Sequence, residues 1–312
     1  MTDTLSGTSG TTAQRVIEPV PFRVSATDAE LAPPTADNGL VGVFHRRYLL
    51  KLLVRREISA RYQGSFLGLL WSYINPFAHF VTYWVVMGMI FNLHKDVQHF
   101  AIHLFAGLVI VHFFTETFGA GTRSIVRNRT IVQKMAMPRE MFPVATMLTS
   151  LYHVVPQVVI LVIAAGVTGW TPDPAGMIAL VLALALIMIL GLAAALLFSV
   201  ANVFFRDFGN IVNIILMFVR FGVPMMYSYS MVHERFGSFA KYYMLDPLAE
   251  AVVLFQRAFW VGTTDDRAFT VATQMPDHLL FRGVVMVGGC LILLGICQLI
   301  FSRLDNKIPE ML

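Results

Sequence analysis

Charge is scarce in this chain: only 13% of its 312 residues are Asp, Glu, Lys or Arg, about half the share in soluble globular proteins. With 56% hydrophobic residues and a mean hydropathy of +0.67, a single water-soluble domain is excluded. Cysteine is scarcer still. Cys290 and Cys297 are the only two. Seven helical positions, ~10 Å, separate them, too far for a disulfide, and redox or thiolate-metal chemistry is not expected. No glycine is followed by lysine, so the phosphate-cradling loop ending in Gly-Lys-Ser or Gly-Lys-Thr is missing, and any ATP use must be a partner's. Neither a Ser/His/Asp arrangement nor His-Glu-x-x-His occurs. Asp96 is the one acid of the first outside loop, and Asp265-Asp266 reads as a solvated turn. His94, His99 and His103 are irregularly spaced without acidic or thiol companions, so no metal site is expected. No catalytic residue and no nucleic-acid partner are assigned.

What the chain does have is long apolar runs. Those at 71–91, 142–168, 177–200 and 283–301 are each near the ~20 residues that cross ~30 Å of hydrocarbon. Two weaker runs, about 101–121 and 208–229, each carry one charge, Glu116 and Arg220. The expected fold is an all-α integral membrane protein. Its domain, 44–306, has six transmembrane helices at about 69–91, 101–121, 142–168, 177–204, 208–230 and 283–301. The two halves show no duplication. Residues 1–43, rich in Thr, Ser, Pro and Ala, read as a disordered segment without a secretory signal, and 307–312 as a tail. Lys and Arg collect on one side of this topology, sixteen against six. Basic residues favour the cytoplasm, so a cytoplasmic-membrane protein with both termini cytoplasmic is expected. In the long outside segment, 231–282, the apolar stretch 247–261 reads as a re-entrant helical hairpin.

Within 44–62, Phe44, Tyr48, Leu52, Ile58 and Tyr62 fall on one side of a helix while Arg47, Lys51 and Arg55 repeat every four residues on another. This is the pattern of a basic amphipathic helix in the inner interface, either a lipid anchor or also a support for a cytosolic partner. After the second span, Arg123, Arg127 and Lys134 alternate with Ile131, Val132 and Met135. A short cytoplasmic helix fits, ended or re-aimed by Pro138, with apolar positions that need a protein groove. Arg206-Asp207, after span four, reads as local charge compensation. Gly222 and Pro224 permit a break in span five. Two stripes are spaced as helix faces, Tyr73, Phe77, Phe80 and Trp84, and Phe218, Phe221, Met225 and Tyr229. They either pack and face lipid or line a pore on which sugars stack. A charge at helix depth costs ~3 kcal/mol, so Glu116 and Arg220 need partners; pairing with each other is one solution, and contact of Arg220 with an anionic substrate is another.

Several short motifs coincide: Arg56-Glu57-Ile58 with Arg61-Tyr62; Leu67-Gly68-Leu69-Leu70-Trp71 and Pro76; Asn128, Ile131 and Lys134 before Met137-Pro138-Arg139-Glu140; Asn202-Val203 with Arg206-Asp207; Pro224 and Tyr227; and Asp246-Pro247. Together, over about 44–304, they resemble the permease subunit of type 2 ABC polysaccharide exporters, the Wzm and TagG group. The Thr/Pro-rich start looks most like the mycobacterial-type galactan exporters. Glu57, Asp246 and Arg220 depart from the usual pattern. The resemblance implies a homodimer flanked by two copies of a separate ATPase subunit that binds ATP and Mg, with no cofactor in this chain. The cargo would be a polyprenyl-pyrophosphate-linked polysaccharide, a galactan, O-antigen or teichoic-acid precursor. It further implies that 124–134, through Arg123, Arg127, Asn128, Ile131, Lys134 and Met135, couples to the ATPase. Arg47, Lys51, Arg55, Arg56 and Arg61 would meet the lipid head group and surrounding membrane lipids, the two stripes would line the channel, and 247–261 would shape the outer exit. An exporter of a small lipid or drug shares the same fold, and a proton-coupled carrier using His112 and Glu116 is the remaining alternative.

Overall fold

The computed structural model describes residues 39–312 apart from 96 and 136, and these are helices and connecting turns. In chain order come α1 (Gly39–His45), α2 (Arg47–Tyr62) and α3 (Trp71–Tyr83), which runs on as a π-helical stretch, Trp84–Ile90. Next are α4 (Phe100–Thr122), the short α5 (Ser124–Arg127) and α6 (Arg129–Lys134), then α7 (Met141–Val167), α8 (Pro174–Phe204) and α9 (Phe208–Gly222). The rest is α10 (Tyr229–Phe236), α11 (Ala240–Tyr243), α12 (Pro247–Phe259), α13 (Arg267–Gln274), α14 (Leu279–Asp305) and α15 (Ile308–Met311). Among the described residues α4, α7, α8 and α14 are long and apolar enough to cross a membrane.

The first and fifth expected spans are built differently. The first joins 13 α-helical residues to seven π-helical ones. The fifth, expected over 208–230, stops at Gly222: Val223 is extended, and Pro224 has no N–H to continue the ladder. Carbonyls at a break inside an apolar bundle need partners. The buried Gln256 amide donates to Pro224 O at 3.0 Å, and the Tyr227 hydroxyl donates to Phe221 O at 3.0 Å.

The bundle closes around α4, which touches α3, α7, α8, α9 and α12 and is buried on nearly all sides. Close approach depends on small residues. A Cβ on Gly121 would lie 2.5 Å from the Ala195 Cβ of α8, and one on Gly107 would lie 2.5 Å from the Met225 Cβ beyond the break. The apolar segment 247–261 forms α12, closed in by α4, α8 and α14. Its apolar side chains are buried against these helices.

A second apolar cluster gathers at the end of the bundle where α2, α5, α6 and the chain's C-terminus meet, through Leu50, Leu53, Ile125, Val132, Phe142 and Phe301. Two expectations change there. Residues 39–43, assigned to the disordered segment, are helical, with Val43 buried and Gly39 against Gln298 of α14; 1–38 lie outside the described residues. The expected tail 307–312 includes α15, whose Ile308 is buried. Arg139 reaches across this end to Asp305 at 2.8 Å, and Gln298 donates to Glu140 at 2.9 Å.

At the opposite end, Asp173 precedes α8 and grips Arg257 of α12 with two bonds, 3.0 and 2.7 Å. The guanidinium holds the Asp173 carboxyl below its usual range. Removing one partner of such a mostly buried bidentate pair costs about 2 kcal/mol, so Arg257→Ala should lower the thermal unfolding midpoint of the purified protein by several degrees at pH 7. A depressed carboxyl stabilises above the ordinary aspartate range of ~4 and loses that effect as the pH falls through its folded value. The gap between wild type and variant should therefore shrink below about pH 4, and a gap that persists there contradicts this assignment.

Candidate functional site

Polar side chains at helix spacing build the site. On α4 His112 and Glu116 are four apart, and on α7 Thr146, Thr149, Ser150, His153 and Gln157 recur every three to four residues, so each helix presents one polar stripe. The α7 hydroxyls are satisfied within the helix: Thr146, Thr149 and Ser150 donate to the carbonyls four residues back at 3.0, 2.9 and 3.1 Å. The two stripes face α2, and between them lies a cavity of about 590 Å³ that reaches the first turns of α9. Its walls carry Arg56, Arg61, Arg123 and Arg127 against Glu57 and Glu116, an excess of two positive charges.

At its inner limit Arg61 and Glu116 form an ion pair. His153 Nδ1 lies 2.9 Å from Glu116 Oε1 and 2.9 Å from Arg61 Nη1. One ring nitrogen cannot donate to the carboxylate and accept from the guanidinium at once. Donation to Glu116 is the better arrangement, because the carboxylate can accept both neighbours and the arginine already has its own bond to it. Farther along, Gln157 Nε2 is 3.0 Å from His112 Nδ1. Arg220 does not meet Glu116. It is exposed near the far end of α9 and, with Asn75, His79 and Tyr83, lines a separate cavity of about 340 Å³ beside α3.

Toward the α5–α6 loop the same cavity is clamped. Arg56 donates to Asn128 Oδ1 at 3.1 Å, and Arg127 pairs with Glu57. Arg123 reaches the other way, to Asn213 Oδ1 at 2.5 Å and Gly209 O at 3.3 Å on α9. The loop expected as one helix is therefore two, bent at Asn128, whose amide donates back to Ser124 O at 2.9 Å. Arg123, Arg127 and Asn128 are engaged inside the chain. Lys134 and Met135 stay exposed, Ile131 is half-buried and Arg129 is exposed.

The interface residues divide by helix face. Arg56 and Arg61 line the cavity, whereas Arg47, Lys51 and Arg55 point away from it and are exposed. Phe44, Tyr48 and Leu52 are exposed too, since α2 packs inward through Leu50 and Leu53. The basic and apolar stripes thus share the exposed side of the helix. Arg206 and Asp207 are exposed and form no ion pair with each other among the described residues; the turn there is held by Asn202, whose Oδ1 accepts from Gly209 N at 3.0 Å.

The two aromatic stripes do not line one wall. Phe80 packs edge-on against Phe105 of α4 at 5.2 Å, Trp84 joins the core, Tyr73 is half-buried and Phe77 is exposed. Past α9 the second stripe is split by the break: Phe218 and Phe221 are exposed, Met225 is buried on Gly107 and Tyr229 is half-buried.

Glu116→Ala would strand buried His153 and unpair Arg61, at a cost of about 2 kcal/mol, whereas Glu116→Gln keeps an acceptor. Thermal unfolding of the two variants should rank wild type, Gln, Ala, and equal stability of Ala and wild type would show the ladder to be unimportant to the fold.

Residues 48–260 match the ABC-2 type transporter family. The O-antigen export system permease protein RfbA of Klebsiella pneumoniae is 24% identical over 85% of this chain and 95% of its own length. Its namesake from Myxococcus xanthus is 27% identical over 70% of this chain and 82% of its own. The polysialic acid transport protein KpsM of Escherichia coli is 22% identical over 76% and 93%. With a family match over most of its length and several apolar helices, the chain belongs to the ABC-2 type transporter family and is a multi-pass membrane protein.

Proposed function

We propose that this chain is the permease of an ATP-driven exporter that carries a polyprenyl-pyrophosphate-linked polysaccharide across the cytoplasmic membrane. One observation carries the reading: the cavity with four arginines against two glutamates lies beneath α2 and is clamped directly to the α5–α6 loop. An anionic lipid head group suits such a cavity, because arginine donates charge-assisted hydrogen bonds to phosphate oxygens. The export roles in the relatives' names support a polysaccharide as cargo, with galactan, O-antigen and teichoic-acid precursors as the candidates. Six spans, with the 71–90 segment and α9 as the first and fifth, put α2, the α5–α6 loop and both termini in or at the cytoplasm. Two copies assemble through faces that include exposed Phe218 and Phe221. ATP and Mg belong to a separate subunit present twice.

In this scheme the ATPase seats on the exposed side of the α5–α6 loop, at Arg129, Lys134 and Met135. A push there travels two ways, through Arg127–Glu57 and Arg56–Asn128 to α2, and through Arg123–Asn213 to α9. ATP binding biases the position of both helices, and therefore the cavity between them. Chemistry in this chain is not required.

The test is co-purification with a candidate ATPase encoded beside this chain, followed by ATP hydrolysis in proteoliposomes. Lys134→Glu should weaken association about tenfold. Arg127→Glu should preserve association but blunt the response of hydrolysis to lipid-linked glycan, and Glu57→Arg in the same chain should restore part of it. Failure of any ATPase to associate would sink the reading.

A further inference from the structure

Beside the basic cavity lies a smaller one of about 210 Å³, where the end of α2 and the start of α3 face α4 and α7. Arg61 and Glu116 line both cavities, so the two are contiguous, but their chemistry differs. In the small one these two charges are already paired with each other. Its other polar groups include Ser72, Asn75 and the imidazoles of His112 and His153, and its rings are Tyr62 and Trp71.

Two of these groups have bonding capacity to spare. Asn75 has no hydrogen-bond partner among the described residues and offers both donor and acceptor. Gln157 occupies His112 Nδ1, which leaves the other nitrogen of that ring as a donor. The Asn75 amide, a His112 N–H and the Ser72 hydroxyl beside one small space suit a ligand that carries several hydroxyl groups. The space is well below the ~300 Å³ at which pockets for drug-sized ligands begin, so it has room for one small polar ring. The flat faces of Trp71 and Tyr62 suit the C–H face of such a ring.

We propose that this small cavity is a sugar subsite that reads the first sugar of the diphosphate-linked glycan. With the diphosphate among the arginines of the larger cavity, the residue attached to it falls past Arg61 and Glu116 into the smaller one. The subsite rests on the head-group reading above and adds to it a specificity function for Trp71, Ser72 and Asn75.

The experiment uses the full chain in nanodiscs and three probes: polyprenyl pyrophosphate, and the same lipid carrying a single N-acetylglucosamine or a single galactose. Affinity is read by competition against fluorescent polyprenyl pyrophosphate. At least one sugar-bearing probe should bind about tenfold more tightly than the sugarless lipid. Asn75→Ala should cut that preference to about threefold or less, and so should Trp71→Ala, while Trp71→Phe, which keeps a flat ring, should retain most of it. Misfolding of one variant leaves the other to decide. If the sugarless lipid binds and neither sugar improves it, the subsite is refuted and the head-group cavity stands. If none of the three probes binds, the head-group reading itself falls, and the subsite falls with it.

Discussion

Hydrocarbon offers no hydrogen-bond partner, so a polar group placed inside an apolar bundle dictates what may pack around it. Glu116 is that group here. Its carboxylate sits on the most enclosed helix, α4, and is met by Arg61 from α2 and His153 from α7. Those two contacts fix how far α2 can lie from the bundle and which face of α7 turns inward. The cavity between them follows, because long polar side chains meeting at their tips leave space behind them.

The same constraint explains the break after α9. A proline at 224 cannot continue the ladder of α9, and at the break Gln256 of α12 donates to Pro224 O and Tyr227 to Phe221 O. α12 must therefore be buried beside the break, and Gly107 must lack a side chain so that Met225 can approach α4. The break thus links the position of α12 to that of α9. The polar clamps at the other end of α9, from Arg123 to Asn213 and Gly209, make it a helix held at both ends by its neighbours.

Much of the site was legible as helix periodicity. Arg56 and Arg61 were picked out for their charge, and Glu116 because an acid inside an apolar span is expensive. The fourfold spacing of His112 with Glu116, of His153 with Gln157, and of Asn75 with His79 and Tyr83 was equally visible, and it marks the polar faces that meet the cavities. Aromatic spacing decided less, because a ring at helix spacing suits the core, the lipid and a pore equally well. Phe80 and Trp84 are partly buried against the core, while Phe77, Phe218 and Phe221 are exposed. The pairing of Glu116 was open at sequence level for a plain reason: Arg61, His153 and Arg220 are 55, 37 and 104 residues away, and no local rule ranks them.

The sequence by itself determined the class of this protein. The apolar runs and the scarcity of charge leave a helical membrane protein, since hydrophobicity, periodicity and charge bias act residue by residue. Tertiary structure decided which residues serve together. It tied Arg123, Arg127 and Asn128 to α2 and α9, and it enclosed α12 among other helices. It also divided α2 into a cavity face and an exposed face. Those outcomes depend on which distant side chain can satisfy a polar group that lipid cannot, and only the packed arrangement of all the helices answers that.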